Sequence, residues 1–239
     1  MHRSRPTVVA VFILAGTLAG CSSSPEEELI SNFFRAARMR DNTTLANISM
    51  ASFSPLERGT VQSFDVESVA EQTRRPMRAR ALGEALGEAQ AAETEFSERK
   101  QVYQDENLEA IERVVEAERE GNTLRRRADR TVQESWTQWR EEMAQHAQNV
   151  SEARAQLSEE RVVADGSTFD PAAADMIDVT QYDGEIATVR VRILAQVQTP
   201  DGQDAQQTLD VAIERAELVG DDGTPLNGRW LITAIEEVG

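Results

Sequence analysis

The chain has 239 residues, 42 acidic against 25 basic, and a formal net charge of −17. That balance excludes a broad electrostatic hold on nucleic acid or anionic lipid, since both rest on basic residues meeting phosphate. Hydrophobic residues are 40% and aromatics 5%, so a core of useful size is aliphatic and alanine-rich. The one cysteine, Cys21, excludes an internal disulfide and any multi-cysteine metal site.

Residues 1–20 combine a basic start (Arg3, Arg5), an apolar run from 8 to 14 and then small residues. This is the pattern of an export signal, too short to span a bilayer. Its end, Leu18-Ala19-Gly20-Cys21, resembles the lipobox of bacterial lipoproteins. The resemblance implies a diacylglyceryl group on the Cys21 thiol, further acylation with palmitate-like chains, and a membrane as the first partner. More than one acyl chain gives stable anchoring where a single chain is marginal. Ser22, where an aspartate would signal inner-membrane retention, implies an outer-membrane anchor facing the periplasm in a cell with two membranes. The alternative is a plain secretory signal ending by chance at a cysteine.

Ser24 is suited to cap a helix, with Pro25 in its first turn and Glu27 three residues after the cap. Leu29, Ile30, Phe33, Phe34 and Ala37 then share one helical face. A short helix over 43–50 and a break at Ser54-Pro55 follow, then a strand over 60–69. Strands return after residue 163. The spacing predicts one over 177–182, ending in a turn at Asp183-Gly184. A second, over 186–198, alternates Ala187, Val189, Val191, Ile193, Ala195 and Val197 with polar residues, the mark of a half-buried antiparallel strand. The chain turns at Asp201-Gly202 and runs back over 208–218. There the apolar phase slips from Leu209, Val211 and Ile213 to Ala216 and Leu218, predicting a bulge near Glu214 or Arg215. A closing strand is expected over 229–238.

The run from Phe33 to Asp41 and the ending Gly228-Arg229-Trp230-Leu231-Ile232 resemble the first helix and last strand of NTF2-like domains. The resemblance covers about residues 24–70 and 170–238. It implies an α+β fold, with helices packed on a curved antiparallel sheet around a cone-shaped cavity. It also implies Phe33, Phe34, Tyr182 and Trp230 as candidate ligand-pocket residues. That family hosts enzymes and non-catalytic binders alike, so the resemblance does not decide function.

Between the two matching parts lies a polar block over 76–162, expected to open at Pro76. It divides the chain into a signal (1–20), an N-terminal part (21–75), this insertion and the C-terminal strands (163–239). In its second half Val132, Trp136, Trp139, Met143, His146, Val150, Ala153 and Leu157 alternate steps of four and three, the a/d spacing of a coiled coil. In its first half Leu82, Ala85, Leu86, Ala89, Ala92, Phe96, Tyr103, Leu108, Ile111, Val114 and Val115 make a looser stripe, weakest over 100–107. Gly121-Asn122 is the natural stop and restart. The block therefore reads as an inserted antiparallel α-hairpin. Its seam either closes between the two arms, as the short link favours, or meets another molecule. Arg125, Arg126 and Arg127 lie just past the tip. They either balance Glu116, Glu118 and Glu120 across the turn or contact an acidic partner or lipid headgroups.

Little points to catalysis. Outside the signal the only histidine is His146, on the seam, without the second histidine or cysteine a zinc set needs. The pairs Asp175 with Asp178 and Asp221 with Asp222 sit in turns. No phosphate loop or cofactor motif is present. The residues point to a lipid-anchored binding or scaffolding protein of the cell envelope that meets another envelope protein through the hairpin. A ligand-binding or enzymatic cavity is the alternative. A further one is a likeness to periplasmic efflux adaptors, whose hairpins meet a channel.

Overall fold

The structure, a computed structural model, describes residues 24–173 and 176–238. The expected export signal over residues 1–20, the expected lipidation site Cys21, and Asp175 lie outside the described residues. The chain is an α+β fold in the order α1 (Pro25–Met39), α2 (Asn42–Ile48), α3 (Pro55–Arg58), β1 (Thr60–Val69), β2 (Thr73–Pro76), α4 (Ala79–Glu120), α5 (Arg127–Thr168), β3 (Asp183–Gln198), β4 (Asp204–Val219), β5 (Pro225–Asn227) and β6 (Leu231–Glu237). All strand pairings are antiparallel: β1 and β2 both lie along β3, and β5 and β6 both lie along β4.

Helix α1 begins as its sequence dictates. Ser24 Oγ accepts from the Glu27 amide at 3.2 Å, and three glutamates occupy the first turn. Its apolar face is buried through Ile30, Phe33, Phe34, Ala36 and Ala37. Phe33, Phe34 and Phe53 meet edge to face at centroid distances of 5.3 and 5.4 Å. These rings cover Val189, Val191, Ile193, Leu209, Val211, Ile213 and Ile232, which form the first core.

Strands β3 and β4 pair without a break from Asp183↔Val219 to Gln198↔Asp204. The expected bulge at Glu214 or Arg215 is therefore absent from this ladder. The phase slip has another cause: the ribbon changes its buried face. Ile186 pairs with Ala216 and Gly184 with Leu218, on the side opposite Val189 and Ile213. That second side carries a separate core of Ile186, Ala216 and Leu218 with Met77, Ala79, Leu157, Ala164 and Val179. Register shifts lie in other ladders: at Gln62 and Glu67 between β1 and β3, and between β4 and β6, where Thr233 is the extra residue between the pairs Ala212↔Ala234 and Ile213↔Ile232.

Three further expectations are corrected. Residues 177–182 do not form a strand: Asp178 accepts from the Thr180 amide at 3.1 Å and caps a 3-10 turn over Val179–Gln181. Pro76 does not open the long helix. It ends β2 opposite Glu185, an edge position that tolerates its missing N–H. Helix α5 runs past residue 162 to Thr168 through Gly166, where a Cβ would lie 3.0 Å from Leu231 Cδ1. Close packing on the sheet, rather than chain termination, explains that glycine.

A third core lies away from the sheet. Ile111, Val114 and Trp136 are buried there with Tyr103, Leu124, Val132 and Trp139 around them. It shares no residue with the other two, so it can open on its own. Trp136→Ala removes its largest buried side chain, a change of about 3–5 kcal/mol in a packed core. Hydrogen exchange is expected to show loss of protection over 103–139 while the β3 and β4 amides keep theirs. Equal loss in β3 and β4 would mean the three cores unfold as one.

Candidate functional site

Helices α4 and α5 each span 42 residues, roughly 60 Å at 1.5 Å per residue. They leave the sheet at the end of β2 and return to it before β3, two strands that pair with each other. Cross-contacts fix them as antiparallel: Arg78 with Glu160, Phe96 with His146, Tyr103 with Trp139 and Arg113 with Asp129.

The seam of α5 is longer than its apolar residues suggest. Continuing the three-four spacing beyond Leu157 reaches Glu160, Ala164 and Ser167, and one step back from Val132 reaches Asp129. All four are buried, and Asp129, Glu160 and Ser167 are the buried polar side chains among the described residues. Each has its partner. Ser167 Oγ accepts from the Ala216 amide at 3.1 Å. Arg113 Nη2 donates to Asp129 at 3.0 Å. Glu160 Oε1 accepts from Arg75 Nη1 at 2.7 Å and from the Arg78 amide at 3.0 Å, with the Arg78 guanidinium 3.6 Å from Oε2. Sequence reasoning passed over these residues because they are polar. The unbroken spacing was the signal that could have found them.

The facing stripe of α4 is corrected in the same way. Leu82, Leu86, Ala89, Phe96, Tyr103, Ile111 and Val114 turn inward, whereas Ala85, Ala92, Leu108 and Val115 are exposed. Heptad spacing instead brings Glu93, Lys100 and Asn107 to the half-buried side, which explains the weak stretch over 100–107. Lys100 Nζ sits 5.1 Å from the Trp136 ring centre. Asn107 leaves helical geometry at φ −120° and ψ 16°, and its side-chain amide donates to the Tyr103 carbonyl at 2.9 Å. Helix α4 is therefore kinked there. His146 lies against the Phe96 ring at 4.7 Å.

At the tip, Gly121 ends α4 in the left-handed region at φ 68°. Among the described residues no salt bridge joins Arg125, Arg126 or Arg127 to the nearby glutamates. Glu116 pairs with Arg119 at 2.6 Å, Glu118 with Arg140 at 3.0 Å, and Glu120 accepts from Asn122 at 2.7 Å. Hydrogen bonds from Arg140, with Gln133 assisting, hold the Glu118 carboxyl below the usual range despite some desolvation.

The four aromatic pocket candidates do not converge. Phe33 and Phe34 are buried in the first core, and Trp230 packs at its margin with the Arg215 guanidinium 4.5 Å above its ring. Tyr182 belongs to the second core, beside an open groove of about 530 Å³ at Ile177, Pro225 and Leu226. Phe34 walls a groove of about 300 Å³ between α1 and β1, and Phe33 one of about 410 Å³ between α1, α2 and the segment 49–55. Hydrogen bonds hold the carboxyls of Asp41, Asp201, Asp210 and Glu217 below the usual carboxylate range. Asp178 and Asp222 are lowered mainly by Thr180 and Thr224 donors, as capping residues, and Asp221 holds Arg80 at 2.7 Å. No protein-family model, curated protein or solved structure matches the chain.

Glu160 is the most consequential of these groups. Burial alone would raise its carboxyl, but the Arg78 amide and the Arg75 and Arg78 guanidinium groups outweigh burial and hold it below the ordinary value of 4.5. Its contribution to stability is thus full above that value and lost as pH falls through the lowered one. Glu160→Gln is expected to cost about 1–3 kcal/mol at neutral pH, toward the lower end because Arg75 and Arg78 keep access to water. Thermal denaturation of the two proteins from pH 7 to pH 3 checks this: the gap in Tm closes on acidification. A gap independent of pH would remove the charge from the account.

Proposed function

We propose that the chain is a lipid-anchored protein of the bacterial cell envelope, held at Cys21 and acting as a non-enzymatic binding or scaffolding module. In this reading the two ends of the chain form an NTF2-like base. The α4–α5 pair is an inserted coiled-coil hairpin that serves as an arm for contacting another envelope protein. With Ser22 after the acylated residue, the base sits on the outer membrane and faces the periplasm.

One observation carries this reading. The α4–α5 pair packs on the base through its root, at Ala79, Leu82, Leu86, Leu157, Val163 and Ala164. Further out, it buries Phe96, Ile111, Val114 and Trp136 within itself and presents charged surface to solvent. Helices of this length add little to the stability of a base they touch only at one end, so reach is what they supply. Phe33, Phe34 and Trp230 pack with the first core and Tyr182 with the second, so the four aromatics do not gather around one pocket, which favours the arm.

Two measurements test the reading. Metabolic labelling with a palmitate analogue is expected to mark the wild type and to fail on Cys21→Ala; equal labelling would overturn the anchor. Replacing residues 90–153 by a short flexible link keeps the root core intact. The shortened protein is expected to fold and to localise normally, yet not to rescue a deletion strain. Full rescue would show that the arm is not the working surface.

A further inference from the structure

Residues 123–130, at the distal end of the arm, carry four arginines and one aspartate in an otherwise acidic chain. Arg125, Arg126, Arg127 and Arg130 are all exposed, and none makes a salt bridge among the described residues. This is no shortage of carboxylates, since the chain has 42 acidic residues against 25 basic. Four carboxylates flanking the turn are paired elsewhere: Glu116 with Arg119, Glu118 with Arg140, Glu120 with Asn122 and Asp129 with Arg113. Arg127 and Arg130 lie one helical turn apart on a shared face, and Arg126 flanks them in extended backbone. The third core beneath them, with Leu124 half-buried in it, makes this end a built platform rather than a fraying loop.

We propose that this arginine tip docks on a carboxylate-rich segment of a partner protein. The inference rests on the reading of the helical pair as a contact arm and names the chemistry of what the arm meets. Guanidinium forks match carboxylates in two-point geometry, and the chain's basic residues are all arginine except Lys100. A lipid surface fits less well. The tip exposes no large apolar side chain to enter a bilayer, Leu124 being turned into the core. Exposed Glu116 and Glu120 flank the tip on α4, and an extended anionic plane has less freedom to avoid them than a narrow segment has. A narrow acidic segment can reach the tip without them.

The test uses the full chain, with a fluorescent deca-glutamate peptide as one probe and phosphatidylglycerol vesicles as the other. The wild type is expected to bind the peptide in a salt-sensitive way. Replacing Arg125, Arg126 and Arg127 together by glutamate should weaken binding at least about tenfold, as loss of charge complementarity does. Replacing the three by lysine should give an intermediate loss, because charge remains and the fork is gone. Circular dichroism should be unchanged in both variants, the side chains being exposed. Equal peptide binding by the wild type and the glutamate variant overturns the proposal, as does wild-type binding to vesicles with none to peptide. Photo-crosslinkers at Thr123 and at the mid-arm Gln148 separate the two readings. Capture in cells at Gln148 alone would keep the arm and remove the tip.

Discussion

The β3–β4 ribbon has to bury two different faces along one uninterrupted ladder, and the rest of the molecule is arranged by that requirement. At one end Val189, Val191, Leu209 and Ile213 look toward α1. At the other Ile186, Ala216 and Leu218 look the opposite way, toward the root of α4 and α5. Because the pairing keeps register throughout, the change is made by the choice of residues and not by a backbone irregularity. Ile186 and Ala187 are both fully buried, one on each face, and mark the crossover. A sheet covered on opposite sides at opposite ends holds its two helical layers apart. The arm therefore grows from ground that α1 does not share.

The joint between arm and sheet depends on one carboxylate. Glu160 ties α5 to the end of β2 through Arg75 and to the start of α4 through the Arg78 amide. That amide lies at the helix start, where no intrahelical acceptor exists and the Arg78 side chain supplies no cap. A charge from the neighbouring helix therefore does what a local capping residue does elsewhere. One buried group fixes the exit of α4 and the register of α5 against it. The cost of burying it is offset by several donors acting at once.

Much of this was legible from sequence, and what was missed has a consistent cause. The cap of α1, the pairing of the long strands, the turn at Gly121 and the seam of α5, except for the exposed Met143, follow from local rules that the structure obeys. The errors arose where an apolar-only reading met residues serving a tertiary partner. Asp129, Glu160 and Ser167 occupy seam positions as polar groups, and Gly166 sits in a helix because Leu231 approaches it closely. The strand assigned to 177–182 fell to the Asp178 cap, a side-chain bond that alternation does not encode. The change of buried face looked like a bulge because both shift the apolar phase by one residue. Only the partner strand tells them apart. The aromatic candidates were sound as core residues, but their distribution over two cores depends on that same change of face.

The arm's own construction explains how it persists so far from the sheet. Its middle carries Glu93, Lys100, Asn107, Met143 and His146 at or near the seam, which is thin apolar material for a helical pair. Polar residues at such positions specify register at some cost in stability. Here the cost is contained because each end is secured separately. The Glu160 joint and the second core hold the root. The third core and the Arg113–Asp129 pair hold the far end. Between them the Asn107 kink lets α4 rejoin α5 after the polar stretch, so that Ile111 and Val114 reach Trp136. A helical pair braced at both ends and lightly packed between them presents its tip as a definite surface, which an unsupported loop at that distance would not do.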